Sequence, residues 1–273
     1  LERLPLMISL LEWTSEVVGR APTCTCRFKT WKKDGIVGQF FRGKQMDLSR
    51  VEIVIGKDAI KTLQSAAVAV VGLGGVGSYV AESLARSGIG NLLLVDSDYI
   101  ASSNINRQLP ALQSTMGMSK TIVLRDRLLD INPECNIEIY NKFYNPGDFD
   151  AVFGRKYSYI ADAIDSVDSK VDLIVSAASN HIPIISAMGT GNKLDPQMLK
   201  VADIGKTHTC PLARAVRTKL RQAGIVSGVK VVFSVEEPQK IIKSDVPGSL
   251  VFVPATAGLL IGSLIVRDIL NKE

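Results

Sequence analysis

Short apolar runs alternate with amphipathic stretches along most of the chain, and this alternation predicts strands and helices in turn. Runs of Val, Ile, Leu and Ala with few polar residues are typical of strands that are buried on both faces. They predict strands at 67–71, 91–95, 136–141, 157–163 and 182–186. Apolar positions three and four residues apart predict helices at 56–65, 77–87, 119–131 and 166–180. Elements in this order form βαβ units, so we predict an α/β fold with a Rossmann-like, mostly parallel sheet.

The pattern changes after residue 190, where two strands flank a basic helix. The strands are predicted at 199–203 and 229–236, the basic helix at 212–222 and a last helix at 257–270. We expect these strands to be longer than the earlier ones and antiparallel. The prediction is therefore a Rossmann-like core at about 66–190, followed by an antiparallel C-terminal extension at 191–273.

Residues 1–45 have no sustained helical or strand period, although they contain Trp13 and Trp31. They carry eight Lys or Arg and four Asp or Glu, which leaves a net charge of only +1 for the rest of a +5 chain. The sequence does not begin with Met, and Met46 opens the first periodic segment. We expect Met46 to be the natural start, with 1–45 as an upstream extension or poorly packed arm of a 46–273 domain. The alternative is a genuine N-terminal docking segment.

The composition is typical of a globular protein. Of 273 residues, 46% are hydrophobic and 22% are charged, which excludes a disordered chain, a collagen-like chain and a coiled coil. Four cysteines in a chain of this length do not suggest a disulfide framework, so we expect a reducing, cytoplasmic compartment. Residues 246–266 carry no charge, but Pro247 and Pro254 interrupt them. We therefore predict a buried strand, a turn and a core helix there, and no membrane span.

A glycine-rich sequence, Gly72-Leu73-Gly74-Gly75-Val76-Gly77, lies between a predicted buried strand and a predicted helix. Glycines allow a tight turn and a close approach of the backbone to a phosphate, which the N-terminus of the next helix then stabilises. Asp96 ends the second strand, 19 residues after Gly77, where a carboxylate accepts hydrogen bonds from ribose hydroxyls. These residues predict a nucleotide site, and alone they would favour a nicotinamide or flavin enzyme.

Further polar residues favour a triphosphate. Asn104, Arg107 and Lys120 follow the second strand and Asp165 follows the fourth, which are positions where ligands of an open α/β sheet bind. An enzyme that adenylates a carboxylate must neutralise charge on the α-phosphate and on departing pyrophosphate, and it must hold Mg²⁺ through a carboxylate. Arg107 and Lys120 are the candidate cations, and Asp165 is the candidate metal ligand. The set predicts ATP and Mg²⁺ as ligands.

Together these motifs resemble those of the ubiquitin-activating-enzyme superfamily, whose members use ATP to adenylate carboxylates. Within it, residues 46–273 resemble the bacterial tRNA threonylcarbamoyladenosine dehydratases. The resemblance rests on the glycine loop and on Ser49-Arg50, Arg86-Ser87-Gly88-Ile89-Gly90, Asn104-x-x-Arg107-Gln108, Met118-Ser119-Lys120, Asp162-x-x-Asp165, Asp195-Pro196 and Pro211-Leu212-Ala213-Arg214.

The resemblance implies a homodimer that adenylates the free carboxylate of threonylcarbamoyladenosine in tRNA and then closes a ring with release of AMP. It implies that Arg107, Lys120 and Asp165 take part in catalysis, and that Arg50 reaches the active site of the partner subunit. ATP and Mg²⁺ would be held by these residues together with Gly72, Gly74, Gly75, Gly77, Asp96, Asn104 and Gln108.

One departure separates this chain from the sulfur-transfer members of the superfamily, which carry two zinc-binding Cys-x-x-Cys pairs and a catalytic cysteine. The zinc pairs are absent from this sequence, and Cys210 is the candidate nucleophile, although an inert loop thiol is the simpler interpretation. Ring closure within one substrate needs no covalent carrier, so the dehydratase fits. Some dehydratases carry a cysteine near the C-terminal helix that serves a sulfur-transfer partner, whereas this chain has Pro247-Gly248-Ser249 and Val253-Pro254 there, so such a partner is not expected. The alternatives are adenylation of the C-terminal glycine of a ubiquitin-like sulfur carrier, an NAD-dependent oxidoreductase, and a non-catalytic RNA-binding protein.

The predicted helix at 212–222 is basic. Arg214, Arg217 and Arg221 lie at positions i, i+3 and i+7, on one helix face, and residues 204–235 contain six Lys or Arg and no Asp or Glu. A basic face is often simply solvated. Beside an adenylation site that acts on RNA, however, it is suited to tRNA phosphates, and we expect these three arginines to bind them.

Overall fold

The computed structural model describes residues 30–33, 36–39, 45–154, 156–239, 242, 244 and 246–271. The chain divides into two compact units, Leu1–Gly43 and Lys44–Glu273. In the first unit, β1 (Thr30–Lys33) and β2 (Ile36–Gln39) form an antiparallel pair. Trp13 lies outside the described residues, and the interpretation of 1–45 as an extension or arm stays a prediction.

In the described part of the second unit, seven strands form one sheet. In chain order they are β3 (Ala67–Val71), β4 (Asn91–Val95), β5 (Asn136–Tyr140), β6 (Tyr159–Asp162), β7 (Ile184–Ala187), β8 (Leu199–Asp203) and β9 (Lys230–Ser234). The order across the sheet is β5-β4-β3-β6-β7-β9-β8, and every pair is parallel except β8 with β9. The predicted mostly parallel sheet is confirmed, with antiparallel pairing confined to the C-terminal edge.

Helices cover both faces of this sheet. They are α1 (Ser49–Ile55), α2 (Lys57–Ser65), α3 (Gly77–Arg86), α4 (Lys120–Ile131), α5 (Phe149–Val152), α6 (Val167–Ser179), α7 (Pro211–Gln222) and α8 (Phe252–Leu270). Along β3, Val68 and Val70 are buried with α3, α4 and α8, whereas Ala69 and Val71 are buried with α5 and α6. Burial on both faces explains why the central strands are continuous apolar runs in the sequence.

The C-terminal part contains the errors of the sequence prediction. The strand expected at the start of 246–266 is wrong, because residues 246–251 form no strand. Helix α8 begins at Phe252, five residues before the predicted start, and contains Pro254 in its first turn. Proline is tolerated there because its missing N–H has no partner within the helix at that position. Strand β9 has five residues rather than the eight predicted, so it is no longer than the core strands.

Among the described helices, α8 is the one that is long and apolar enough to cross a membrane. One of its faces, however, is buried in the same cluster as α3 and the sheet, through Val253, Ala257, Ile261 and Ile265. A core helix of a globular protein therefore accounts for its apolar composition.

The order of the strands also determines where a ligand can bind. The chain runs outward from β3 to β4 and β5 on one side, and outward from β6 to β7 on the other. At such a reversal the loops at the carboxyl ends of the two central strands diverge and leave a crevice. Here those loops follow Val71 and Asp162, which are the ends of β3 and β6.

Candidate functional site

A cavity of about 810 Å³ opens at this crevice. We call one part of its lining the glycine-loop side: the loops after β3, β4 and β6, together with the 104–108 segment and Lys120. We call the other part the β7 side: residues 187–193 after β7, together with 210–212 and 246–249. The volume falls within the range of small-molecule sites. The structure thus brings together these predicted residues: Gly72, Gly74, Gly75, Asp96, Asn104, Arg107, Gln108, Lys120 and Asp165.

The glycine loop connects β3 to α3 in a tight turn. Gly72 has φ of 87°, a backbone conformation that favours glycine. At Gly77 a Cβ atom would lie 1.7 Å from the carbonyl oxygen of Gly72, so no other residue fits. Gly77 does not itself line the cavity, and its contribution is to let the helix approach the turn closely.

Asp96 ends the next strand and is hydrogen-bonded to the glycine loop. Its Oδ2 accepts from the backbone N–H of Leu73 at 2.6 Å, and its Oδ1 accepts from the N–H of Asp98 at 2.8 Å. Burial raises the pKa of the Asp96 carboxyl, while the charge of Lys120 and these two hydrogen bonds oppose that rise. Each carboxylate oxygen can accept a further bond, so the group remains able to bind hydroxyls.

The 104–108 segment supplies one cation and two amide side chains to the cavity lining. Arg107 donates to the carbonyl of Ser103 at 2.8 Å and to Oδ1 of Asn106 at 2.9 Å, so its guanidinium is held by neutral groups. The Asn104 side chain accepts from the N–H of Ala101 and stabilises the turn. Gln108 is buried, and its Oε1 has no hydrogen-bond partner among the described residues. This acceptor in the cavity wall is therefore available to a donor of a ligand.

Lys120 begins α4 and forms an ion pair at the cavity. Its Nζ lies 2.7 Å from Oδ2 of Asp98, with the lysine side chain 5% exposed and the aspartate side chain 65% exposed. Asp98 was not predicted as a site residue, although it follows Asp96 by two positions. A lysine ammonium has three donors, so Lys120 can bind a phosphate oxygen while it keeps this partner.

Asp165 is exposed in the loop after β6 and lines the cavity. The loop is anchored from below by a fully buried ion pair, in which Lys170 Nζ lies 2.8 Å from Oδ2 of Asp162. Ser186 donates to the same oxygen at 2.5 Å, and Lys170 also donates to Ser186 and to the carbonyl of Ala187. This buried triad of Asp162, Lys170 and Ser186 therefore joins the end of β6 to the end of β7, beneath both sides of the cavity.

The described residues contain no cluster of three or more His, Cys, Asp or Glu that could hold a metal ion. Magnesium does not need one, because it is commonly bound through one or two carboxylates, substrate phosphates and water. Asp165 makes no hydrogen bond or ion pair with another described residue, so its oxygens are available to a cation. The donor set fits a magnesium ion that arrives with a nucleotide.

The β7 side contains residues that the sequence reasoning missed. Lys193 is a buried lysine in the cavity wall, and nothing in its sequence position distinguished it. Cys210 precedes α7 and is also buried in this wall, and its interpretation as an inert thiol stays a prediction. Residues 247–249 connect the two sides, because Asn192 accepts from the N–H of Gly248 and Asn106 donates to the carbonyl of Ser249.

The remaining predicted residues lie outside the cavity. Arg50 is exposed on α1. Arg214 and Arg221 are exposed on α7, whereas Arg217 is half-buried and donates to the carbonyl and hydroxyl oxygens of Thr207. The three arginines share a helix as predicted, but the guanidinium of Arg217 is already engaged within the protein.

Comparison with known proteins gives the family. Residues 48–273 match the ThiF family. The chain is 44% identical over 240 residues to the tRNA threonylcarbamoyladenosine dehydratase of Bacillus subtilis, covering 82% of this chain and 94% of that protein. It is 38% identical over 209 residues to the Escherichia coli dehydratase, covering 74% and 77% of the two chains. The structure of the E. coli enzyme in complex with ATP matches with a TM-score of 0.78 and 35% identity, over 82% of this chain and 94% of that one. The chain therefore belongs to the ThiF family and, within it, to the family of tRNA threonylcarbamoyladenosine dehydratases.

Proposed function

We propose that this protein is an ATP-dependent tRNA threonylcarbamoyladenosine dehydratase. The observation that carries the proposal is that Arg107, Lys120 and the unpaired carboxylate of Asp165 line one cavity beside a glycine loop. A triphosphate needs cations and a metal-binding carboxylate at this place, whereas a nicotinamide dinucleotide does not. The Bacillus and E. coli relatives carry this name, and the E. coli relative has been solved with ATP.

The first step would be attack of the substrate's free carboxylate on the α-phosphorus of ATP, with pyrophosphate as the leaving group. Asp96 would accept from the ribose hydroxyls and the glycine loop would approach the phosphates. Arg107 and Lys120 would stabilise the charge that develops on the phosphate oxygens, and positioned charges of this kind supply much of the rate enhancement in phosphoryl chemistry. Asp165 would hold Mg²⁺, which supplies charge neutralisation at the phosphates when it is bound.

The second step would be ring closure. A nitrogen or oxygen of the threonylcarbamoyl group attacks the acyl carbon, the bond to AMP breaks, and the proton of the attacking group is lost. No protein nucleophile is required, and the buried position of Cys210 agrees with a reaction that forms no covalent intermediate on the protein. Adenylation of a ubiquitin-like carrier for sulfur transfer is the alternative, and it would leave AMP on a protein C-terminus instead of forming a ring.

We also propose that the enzyme works as a homodimer in which Arg50 acts on the partner's site. Arg50 does not line its own cavity, and it lies on α1, whose Ile53 and Val54 are 84% and 81% exposed. An exposed apolar pair on a short helix is suited to burial against a second copy. For tRNA, Arg214 and Arg221 are the phosphate-binding candidates that have no other partner among the described residues. A tRNA substrate and a reducing compartment agree with a cytoplasmic enzyme.

Pyrophosphate release from ATP tests this proposal when three stimulants are supplied separately. Transfer RNA that carries threonylcarbamoyladenosine should stimulate release, whereas unmodified tRNA and a ubiquitin-like carrier should not. Stimulation by the carrier protein alone would favour the sulfur-transfer alternative and contradict the proposal.

A further inference from the structure

Lys193 is the most unusual charged residue on the β7 side. It is only 3% exposed, yet it lines the same cavity as Asp165 and the glycine loop. Its Nζ donates to the carbonyl of Glu236 at 2.6 Å and to the carbonyl of Ser234 at 3.3 Å. These bonds use two of the three ammonium donors and leave one for a ligand.

No carboxylate of the described residues forms an ion pair with Lys193. The Glu236 carboxylate instead accepts from the backbone N–H groups of Leu194 and Asp195. Burial lowers the pKa of the Lys193 ammonium, and Cys210, Glu236 and Glu237 oppose that effect only in part. A buried cation without a directly bonded anion is costly, and an anionic ligand in the cavity would relieve that cost.

The other cations of the cavity, which are Lys142, Lys120 and Arg107, differ from Lys193. Lys142 is exposed in the segment after β5. Lys120 is paired with Asp98, and Arg107 is held by two neutral oxygens. Both lie on the glycine-loop side, where the proposed mechanism puts the phosphates. Lys193 lies on the β7 side, in the segment after the strand that pairs with β6, and it is not among the residues assigned to ATP.

We propose that Lys193 binds the carboxylate of the modified nucleoside, through the oxygen that does not attack ATP. This inference rests on the proposed function. One carboxylate oxygen would receive the third N–H of Lys193 while the other attacks the α-phosphorus. In the ring-closing step the same oxygen becomes the oxyanion of the tetrahedral intermediate, and Lys193 remains placed to stabilise it. Lys193 is thus a specificity-determining residue that distinguishes modified from unmodified tRNA.

The test measures binding without ATP, so it does not depend on turnover. Three tRNAs are compared: the modified tRNA, the same tRNA with its carboxylate as a methyl ester, and the unmodified tRNA. The wild type is expected to bind the free carboxylate about tenfold or more tightly than the ester, because a charge-assisted hydrogen bond is lost in the ester. Lys193→Gln keeps donors for the two carbonyls but removes the charge, and it should bind all three tRNAs equally.

Matched variants separate recognition from folding. Lys200→Gln changes an exposed lysine on β8 outside the cavity and should keep the full preference. Lys193→Arg retains a charge and should restore part of the preference that Lys193→Gln loses. ATP binding should be the same in Lys193→Gln and the wild type, because Lys193 is not among the residues assigned to ATP, and a single cooperative thermal transition should show that the variant is folded.

Two failures can be told apart. If the wild type neither prefers modified tRNA nor releases pyrophosphate with it, the proposed function itself is wrong. If the wild type does both, the assignment of Lys193 is overturned by either of two results. One is a folded Lys193→Gln variant that still prefers the free carboxylate over the ester, and the other is a folded Lys193→Arg variant that has no such preference.

Discussion

The two sides of the cavity are built in different ways. On the glycine-loop side, Asp96, Lys120 and Asp165 lie within three positions of a strand end or helix start. Arg107 is held by Ser103 and Asn106 of its own segment. On the β7 side, Lys193 is oriented by carbonyls of β9 and the segment after it, about forty positions away in sequence. The residues of the glycine-loop side can therefore be recognised from local motifs, whereas the contacts of the β7 side form only when the sheet has formed.

This difference has a functional counterpart. Nucleotide binding is common to many α/β folds, and short motifs suffice for it. Recognition of a particular acyl substrate is specific, and it is assigned here to the side without a motif. The buried triad of Asp162, Lys170 and Ser186 connects the two sides, so changes to it should affect both.

The largest effect is expected on the glycine-loop side. Asp165→Ala should reduce pyrophosphate release by about a thousandfold, because it removes the proposed metal ligand from the phosphates. The fold should be unchanged, since Asp165 makes no bond to another described residue. Asp168→Ala, which removes an exposed carboxylate three positions further on and its ion pair with Lys219, is the matched control and should remain active.

Mixing two inactive variants tests whether the site on the glycine-loop side needs Arg50 from the partner subunit. A heterodimer of Arg50→Ala and Asp165→Ala subunits contains one site with both an intact Asp165 and an intact Arg50 from its partner. It should recover about half of the wild-type activity per dimer, because a two-fold dimer has two equivalent sites. An inactive heterodimer of verified composition would show that Arg50 does not act across the interface.

Lys170→Met tests the connection between the two sides. It leaves Asp162 buried without its counter-charge, which should cost about 3–5 kcal/mol of unfolding free energy, measured by denaturant titration. Adding Asp162→Asn should recover most of that loss, because the charge is removed while Oδ1 still accepts from the N–H of Ile164, and the new amide N–H can donate to the Ser186 hydroxyl, which can also act as an acceptor. Lys61→Met breaks the exposed Lys61–Asp58 pair and should change stability little. Equal effects of the two lysine changes would contradict the importance given to burial.

The smallest effect is expected outside the cavity. Arg214→Ala with Arg221→Ala should raise the KM for tRNA by about tenfold and reduce the salt dependence of binding by about one unit per lost contact. The KM for ATP should stay constant, because neither residue lines the cavity. Arg217→Ala is less suitable, since it also removes two hydrogen bonds to Thr207. If neither constant changes at low and high salt, α7 is ordinary solvated surface.

Most of the fold could be predicted because its signals are local. The apolar run of β3 was predicted with its observed bounds, and α3 and α4 were predicted to within a residue at each end. The sequence prediction is wrong where contacts between residues distant in sequence determine the local structure. The sequence predicts an interruption at Pro254, although the first turn of α8 accommodates this residue. It also predicts a strand for the apolar residues before α8, but they form irregular backbone that hydrogen-bonds to Asn192 and Asn106.

The residues of the candidate site also fall into two groups, those that the local sequence predicts and those that it does not. Asp96, Arg107 and Asp165 could be predicted because parallel strands bring their carboxyl ends to one edge. Lys193 could not, since a lone lysine after an asparagine has no periodic or motif signal and its burial depends on β9. The hydrogen bonds of Arg217 could not be predicted either. Their acceptor, Thr207, lies ten positions away and outside α7, whereas the spacing of the arginines describes only one face of that helix.

The central claim is that the protein removes water from threonylcarbamoyladenosine at the expense of ATP. The most direct test is a single-turnover reaction of enzyme, Mg-ATP and modified tRNA, followed by nucleoside mass spectrometry and quantification of AMP. We expect the modified nucleoside to lose the mass of one water, with one AMP and one pyrophosphate formed for each nucleoside converted. Unchanged modified nucleoside, or AMP that remains attached to a carrier protein, would contradict the proposed function.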